Sequence, residues 1–90
     1  MTGPDRVEEL RARIGENDSR IVEAVNERLR LVTELWELKR EHGLERVDPD
    51  RERRLREELA GANTGPLSRD GLEELVTELL GLTKRELDPD

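Results

Sequence analysis

Two basic side chains fall on the apolar stripe of the first predicted helix, where hydrocarbon side chains are the rule. At about 100° per residue, six apolar residues lie within about 80° of one another, and Arg28 and Lys39 fall in the same sector. One long cation can reach water along its stem, but burying an unpaired cation is costly. The pair therefore predicts carboxylate partners, supplied by the protein or by a ligand. The six apolar residues are Leu10, Ile14, Ile21, Val25, Val32 and Leu35.

Other polar side chains are spaced so that they reach the same interior. Arg11 borders the stripe of the first helix, and Arg51 flanks the inner face of the second, which Glu52 shares. Thr83 lies among the leucines of the third. Because the arginine fork donates two parallel hydrogen bonds to a carboxylate, these cations predict a site for a small anion, in particular a dicarboxylate. The alternative is that each cation pairs with glutamates across a dimer.

Three helices must position these residues, and start and stop signals delimit them. Gly43 is a natural stop for the first helix. Asp48 is a good N-cap for the second, with proline at its first helical position, and Ser68 is an N-cap for the third. The pattern predicts a single all-α domain over residues 1–90. The predicted helices span about 5–42, 49–60 and 68–87.

The length of the first helix bears on the oligomeric state. About 38 residues at roughly 1.5 Å rise make a helix of about 57 Å, whereas a compact chain of 90 residues has a radius of gyration of roughly 12 Å. Two shorter helices cannot cover it. We therefore expect an intertwined homodimer in which the long helices pair as in a coiled coil. The alternative is a bent or broken first helix in a monomeric three-helix bundle.

Composition excludes several classes of function. Charged residues make up 43% of the chain and the net charge is −7, which disfavours a nucleic-acid partner. The chain has no cysteine and one histidine, His42, so neither a disulfide framework nor a metal site is expected. We expect no cofactor. No signal peptide and no apolar run of roughly 20 residues is found, so the expectation is a cytoplasmic protein away from the membrane.

Taken together, these residues resemble the AroQ-type chorismate mutases from about Val7 to Leu87. The resemblance rests on "LRARIGENDSRIVEAVNERLRLV" (10–32), "ELKREHG" (37–43) and "VDPDRERRL" (47–55). It implies an all-α homodimer with three helices per chain and two active sites. It implies an isomerase that rearranges chorismate to prephenate, in the route to phenylalanine and tyrosine, without metal or redox cofactor.

The resemblance also implies roles for individual residues. Arg28 and Arg51, with Arg11 from the partner chain, would grip the two carboxylates of chorismate, and Thr83 would contact a carboxylate. Lys39 would stabilise the charge that builds on the ether oxygen as the C–O bond breaks. The ring hydroxyl would be bound by Glu52, helped by the backbone at Asp48. The residues with catalytic roles are Lys39, Arg28 and Glu52.

One position departs from the family pattern. Relatives often carry Gln or Glu one helical turn after the residue that matches Thr83, where it donates a second hydrogen bond to the ether oxygen. Here that position is Leu87, with Glu86 beside it. Three explanations stay open: an alignment shifted by one residue, weaker catalysis, or a C-terminal segment reorganised by a partner. Some short relatives are activated by DAHP synthase, the first enzyme of the shikimate pathway.

Three other functions fit part of the pattern. Isochorismate-pyruvate lyases and aminodeoxychorismate mutases use the same fold with a similar dicarboxylate pocket. A non-catalytic helical dimerisation module explains the apolar periodicity and the charge. It does not explain why Arg28, Lys39 and Glu52 are directed inward.

Overall fold

The computed structural model describes residues 2–88 and is all-helical over that range. Its helices are α1 (Gly3–Glu41), α2 (Pro49–Ala62) and α3 (Arg69–Leu87). No strand occurs among the described residues. The predicted all-α class, with three helices and a long first one, is confirmed. The bounds differ from the expected ones by one or two residues at all ends except the start of α2 and the end of α3.

The end of α1 is fixed by a glycine in the left-handed region. Gly43 has φ of 66°, a conformation that costs glycine little because it lacks a Cβ. The N–H of Gly43 donates to the carbonyl of Arg40, and that of Leu44 donates to the carbonyl of Lys39 at 2.8 Å. These two bonds form a Schellman cap. Lys39 is thereby held in the last turn of α1.

Side-chain caps open α2 and α3. The Asp48 carboxylate accepts from the N–H of Arg51 at 3.1 Å, and Pro49 follows at the first helical position. The Ser68 hydroxyl accepts from the N–H of Gly71 at 3.0 Å. Both N-caps are those that the sequence predicts, since Asp and Ser satisfy the amides that a helix start leaves unpaired.

The end of α2 lies two residues beyond the expected one. Gly61 stays helical, and α2 ends at Ala62 with Asn63 as its cap. The N–H of Asn63 donates to the carbonyl of Leu59 at 3.0 Å, and its side chain accepts from the N–H of Gly65 at 3.0 Å. The stop therefore comes from the hydrogen-bonding side chain of Asn63 and not from the flexibility of Gly61.

Helices α2 and α3 contact each other and form the small core of the structure. Val76 and Leu72 on α3 are buried, with exposed fractions of 1% and 6%. At the edge of this contact, the guanidinium of Arg56 on α2 lies 2.7 Å from the Glu73 carboxylate and 3.3 Å from the Thr77 hydroxyl. A forked cation shared by two acceptors fixes the side-by-side register of the two helices.

The chain divides into two compact units, Met1–Val32 and Thr33–Asp90, and the division falls inside α1. The expectation of one domain over 1–90 stays a prediction, and Met1, Pro89 and Asp90 lie outside the described residues. No described helix combines the length and the apolar character needed to cross a bilayer.

None of the 39 residues of α1 is buried. Four of the six residues of its apolar stripe are exposed, with fractions between 40% for Leu10 and 58% for Ile14, whereas Val25 and Val32 are half-buried. A long apolar stripe that its own chain leaves open is typical of a helix covered by another molecule. The intertwined homodimer stays a prediction that this exposure favours.

The N-cap of α3 provides a matched test of local stability. Ser68→Ala is expected to lower the free energy of unfolding by about 1 kcal/mol, because the N–H of Gly71 loses its acceptor. Ser19→Ala makes the same chemical change at an exposed position inside α1 and is expected to be neutral or slightly stabilising. Urea unfolding followed by circular dichroism, at one fixed protein concentration, measures both. Equal losses in the two variants would contradict the capping role.

Candidate active site

Arg11 and Arg28 belong to the Met1–Val32 unit. Arg11 is exposed, and its guanidinium lies 3.0 Å from the carboxylate of Glu8, one turn earlier. Arg28 is half-buried on the apolar stripe. Exposed ion pairs of this kind contribute little free energy, so Arg11 can exchange Glu8 for another carboxylate at small cost.

Lys39 lies half-buried in the last turn of α1, in the Thr33–Asp90 unit. Its ammonium donates to the backbone carbonyl of Arg46 at 3.2 Å. An ammonium has three protons, so two remain for a ligand after this hydrogen bond. The lysine is therefore anchored by the loop between α1 and α2 while keeping the capacity to donate to an oxygen atom.

Asp48 organises the start of α2, where two further predicted residues lie. Its carboxylate accepts from the N–H of Arg51, and its backbone carbonyl accepts from the N–H of Glu52 at 3.1 Å. The Arg51 guanidinium lies 3.6 Å from the carboxylate of Glu58, and both side chains are exposed. Asp48 thus fixes the backbone from which Arg51 and Glu52 project.

Thr83 and Leu87 lie on α3, one turn apart. Thr83 is buried, with an exposed fraction of 7%, and its hydroxyl donates to the carbonyl of Leu79 at 2.7 Å. A hydroxyl that bonds back to its own helix must rotate before it can donate to a ligand. Leu87 is half-buried and ends the helix, whereas the neighbouring Glu86 is exposed.

Sequence reasoning missed the contacts of Arg46. Its guanidinium lies 4.1 Å from the centre of the Trp36 ring and 3.2 Å from the carboxylate of Asp88. Arg46 lies in a loop, where helical periodicity gives no signal. No signal in the sequence places this arginine over Trp36, the single aromatic residue, one turn before Lys39.

The residues from Lys39 to Glu52 therefore form a connected group at the end of α1 and the start of α2. It presents a donor ammonium, a guanidinium and a carboxylate that can accept a hydrogen bond from a hydroxyl. Such a set can bind a compact anion and stabilise charge that develops on an oxygen atom. In the single chain Arg51 and Glu52 are exposed, so this group has no enclosing wall of its own.

An open depression on α3 contrasts with this group. It is lined by Glu73, Glu74, Thr77 and Glu78. None of the predicted site residues lines it, and two of its lining residues, Glu73 and Thr77, are acceptors of the Arg56 guanidinium. Among the described residues, no group of three or more potential ligand side chains has the arrangement of a metal site.

Fold and site together define an all-α protein with a group of cationic and acidic side chains at the junction of its first two helices. The family model for chorismate mutase type II matches residues 10–86. The chain belongs to this family and is an enzyme of the isomerase class. The resemblance inferred from the sequence is confirmed.

A solved structure extends the comparison from sequence to coordinates. Chorismate mutase (form I) from Thermus thermophilus is 31% identical to this chain and superposes with a TM-score of 0.83. The alignment covers 87% of this chain and 98% of the Thermus chain. A search of curated proteins found no match.

Proposed function

We propose that the chain rearranges chorismate to prephenate, in the route to phenylalanine and tyrosine in the cytoplasm. The observation that carries the proposal is the match to the chorismate mutase family over residues 10–86, which include every predicted site residue except Leu87. The likeness to the Thermus chorismate mutase over most of both chains supports it. The anchored ammonium of Lys39 supplies the chemistry that such a reaction needs.

The first task of the site is to hold a compact conformer. Chorismate carries two carboxylates, and its enolpyruvyl group must lie over the ring before the new bond forms. Arg28 and Arg51 grip the carboxylates from one chain, Arg11 does so from the partner, and Thr83 contacts a carboxylate. Fixing the reacting atoms close together removes much of the entropic barrier of a unimolecular rearrangement.

The second task is electrostatic. As the C–O bond breaks, negative charge builds on the ether oxygen, and the ammonium of Lys39 donates to it. Because Lys39 is already held on the Arg46 carbonyl, little reorganisation is needed during the reaction. Glu52 accepts from the ring hydroxyl, helped by the backbone at Asp48. This stabilisation is greater in the transition state than in the ground state and therefore raises kcat.

The site requires a second copy of the chain. No residue of α1 is buried, and Ile21 is 54% exposed on the stripe that carries Arg28 and Lys39. Pairing of α1 with its counterpart covers this stripe, brings Arg11 to the partner's site and removes water from the cations. Removal of water strengthens their interaction with a carboxylate. The exposure of the stripe thus supports an intertwined homodimer with two sites.

Lys39→Ala tests the electrostatic role. The variant is expected to lose about 10²–10³ in kcat, because one preorganised donor to the developing oxyanion is removed. The matched control is Lys84→Ala, since Lys84 is the other lysine of the chain and is exposed on α3. Loss of chorismate absorbance gives the rates, and circular dichroism checks that both variants are folded. An equal loss in both variants would contradict the role of Lys39.

The substrate preference is tested with the wild-type protein. Chorismate, isochorismate and 4-amino-4-deoxychorismate are offered to the wild type side by side, and chorismate is expected to be the preferred substrate. Preference for one of the others would replace the proposed reaction by the corresponding lyase or mutase. Absence of both turnover and dicarboxylate binding would indicate a non-catalytic dimerisation module.

A mixed dimer tests whether Arg11 crosses between chains. Arg11→Ala and Arg51→Ala are each expected to inactivate the homodimer. In a heterodimer of the two variants, one site contains both substitutions and the other contains neither. The heterodimer, purified through two different affinity tags, should therefore have about half of the wild-type activity per dimer. A heterodimer as inactive as its parents would show that both arginines serve the same chain's site.

The effect of Leu87 on catalysis is tested by introducing a hydrogen-bond donor at this position. Leu87→Gln is expected to raise kcat/KM at least about tenfold, because an amide can donate the second hydrogen bond to the ether oxygen. Glu86→Ala is the control and should leave the rate unchanged. If Glu86→Ala abolishes activity instead, Glu86 holds the role. If neither variant changes the rate and DAHP synthase from the same organism raises it, a partner reorganises the C-terminal segment.

A further inference from the structure

We propose that Arg46 is a positioning residue that holds Lys39 and the end of α3 in one arrangement. The inference rests on the proposed function for its kinetic consequence and on the structure alone for its geometry. Arg46 contacts three residues of the Thr33–Asp90 unit, two near the end of α1 and one at the end of α3. Its carbonyl accepts from Lys39 at 3.2 Å, its guanidinium lies 4.1 Å from the Trp36 ring centre, and the same guanidinium lies 3.2 Å from the Asp88 carboxylate.

The loop that carries Arg46 has little else to hold it. Its apolar side chains Leu44 and Val47 are 62% and 66% exposed. The Schellman bonds fix its beginning at Leu44, and the Asp48 cap fixes its end. Between these points the guanidinium contacts of Arg46 set the path of the backbone, and hence the place of the carbonyl to which Lys39 donates.

Trp36 and Lys39 are one turn apart on α1. Arg46 therefore contacts this turn twice, through its backbone carbonyl at Lys39 and through its guanidinium at Trp36. Stacking of a guanidinium on an indole and its pairing with a carboxylate use different parts of the group, the flat face and the edge. The two contacts are therefore compatible. Together the two contacts restrict the conformation of the loop more than either contact does alone.

Asp88 extends this link to α3. It follows the last helical residue, and its N–H donates to the carbonyl of Lys84 at 2.9 Å, so its backbone is part of the α3 terminus. The helical turn that ends there carries Thr83 and Leu87. Arg46 thus connects the lysine at the end of α1 with the end of α3 that carries two other predicted site residues.

The arrangement can be tested without any assay of turnover. The chain has two lysines, so limited acetylation followed by mass spectrometry compares Lys39 with Lys84 inside one molecule. Arg46→Ala should raise the modification of Lys39 relative to Lys84 severalfold, because the backbone carbonyl to which the ammonium donates is no longer held in place by the guanidinium contacts. Trp36, the only aromatic residue, should change its fluorescence in Arg46→Ala and to a smaller extent in Asp88→Asn. Arg53→Ala, at an exposed arginine 3.5 Å from Asp50, is the control for both readouts and should change neither.

The kinetic consequence is a lower kcat with a smaller change in KM. Misplacement of Lys39 weakens an interaction made in the transition state, and about a tenfold loss of kcat is expected for Arg46→Ala. Arg46→Lys keeps the charge but not the planar fork and should recover part of the rate. Asp88→Asn should also lower kcat. This second variant tests the same contact if Arg46→Ala does not fold.

The outcomes separate the two proposals. Unchanged Lys39 reactivity and unchanged Trp36 fluorescence in Arg46→Ala would overturn the positioning role, whatever the activity. Changes in both with unchanged kcat would also overturn it, because the contacts would then be structural only. Changed reactivity and fluorescence in a protein whose wild type does not turn over chorismate would support the geometry and refute the proposed function.

Discussion

Most of the apolar stripe of α1 is exposed, and the proposed site depends on how that stripe is covered. Helix α1 has 39 residues, whereas α2 and α3 have 14 and 19 and form their small core with each other. Open apolar surface of this extent drives association because water is released when it is buried. In the proposed homodimer, a second copy of the chain would bury the stripe without any further element.

The same coverage determines the strength of the proposed site. Arg28 and Lys39 are half-buried in the single chain, so water still screens them. The attraction between an ammonium and an oxyanion grows several-fold as the effective dielectric constant falls from that of water to that of a protein interior. A helix pair that closes over these cations therefore stabilises the dimer and strengthens the electrostatics in one step. In the proposed dimer, association and catalysis are coupled through one surface.

Prediction from the sequence succeeded where the signal is local and failed where it is not. Asp48 begins α2 and Gly43 ends α1 through contacts with residues only a few positions away. The residue type alone therefore indicates each helix end. Periodicity places Lys39 on the stripe, but its role comes from the family resemblance. Arg46 was not predictable, because its contacts depend on a loop that brings it back over Trp36. Helical spacing predicts contacts between residues three or four positions apart, and it does not predict contacts that a loop makes with an earlier helix.

The proposed binding of a dianion is compatible with an acidic chain because local geometry outweighs net charge. The net charge is −7, but exposed charges beyond about 8 Å are largely screened at physiological ionic strength. Arg11 pairs with Glu8 at 3.0 Å and Arg51 with Glu58 at 3.6 Å, both in water-exposed pairs. Replacing each glutamate by a substrate carboxylate exchanges one exposed ion pair for another and costs little. In the proposed site the gain in binding would come from placing several cations on one rigid ligand at once, and the cap at Asp48 fixes the backbone that carries Arg51 at the start of α2.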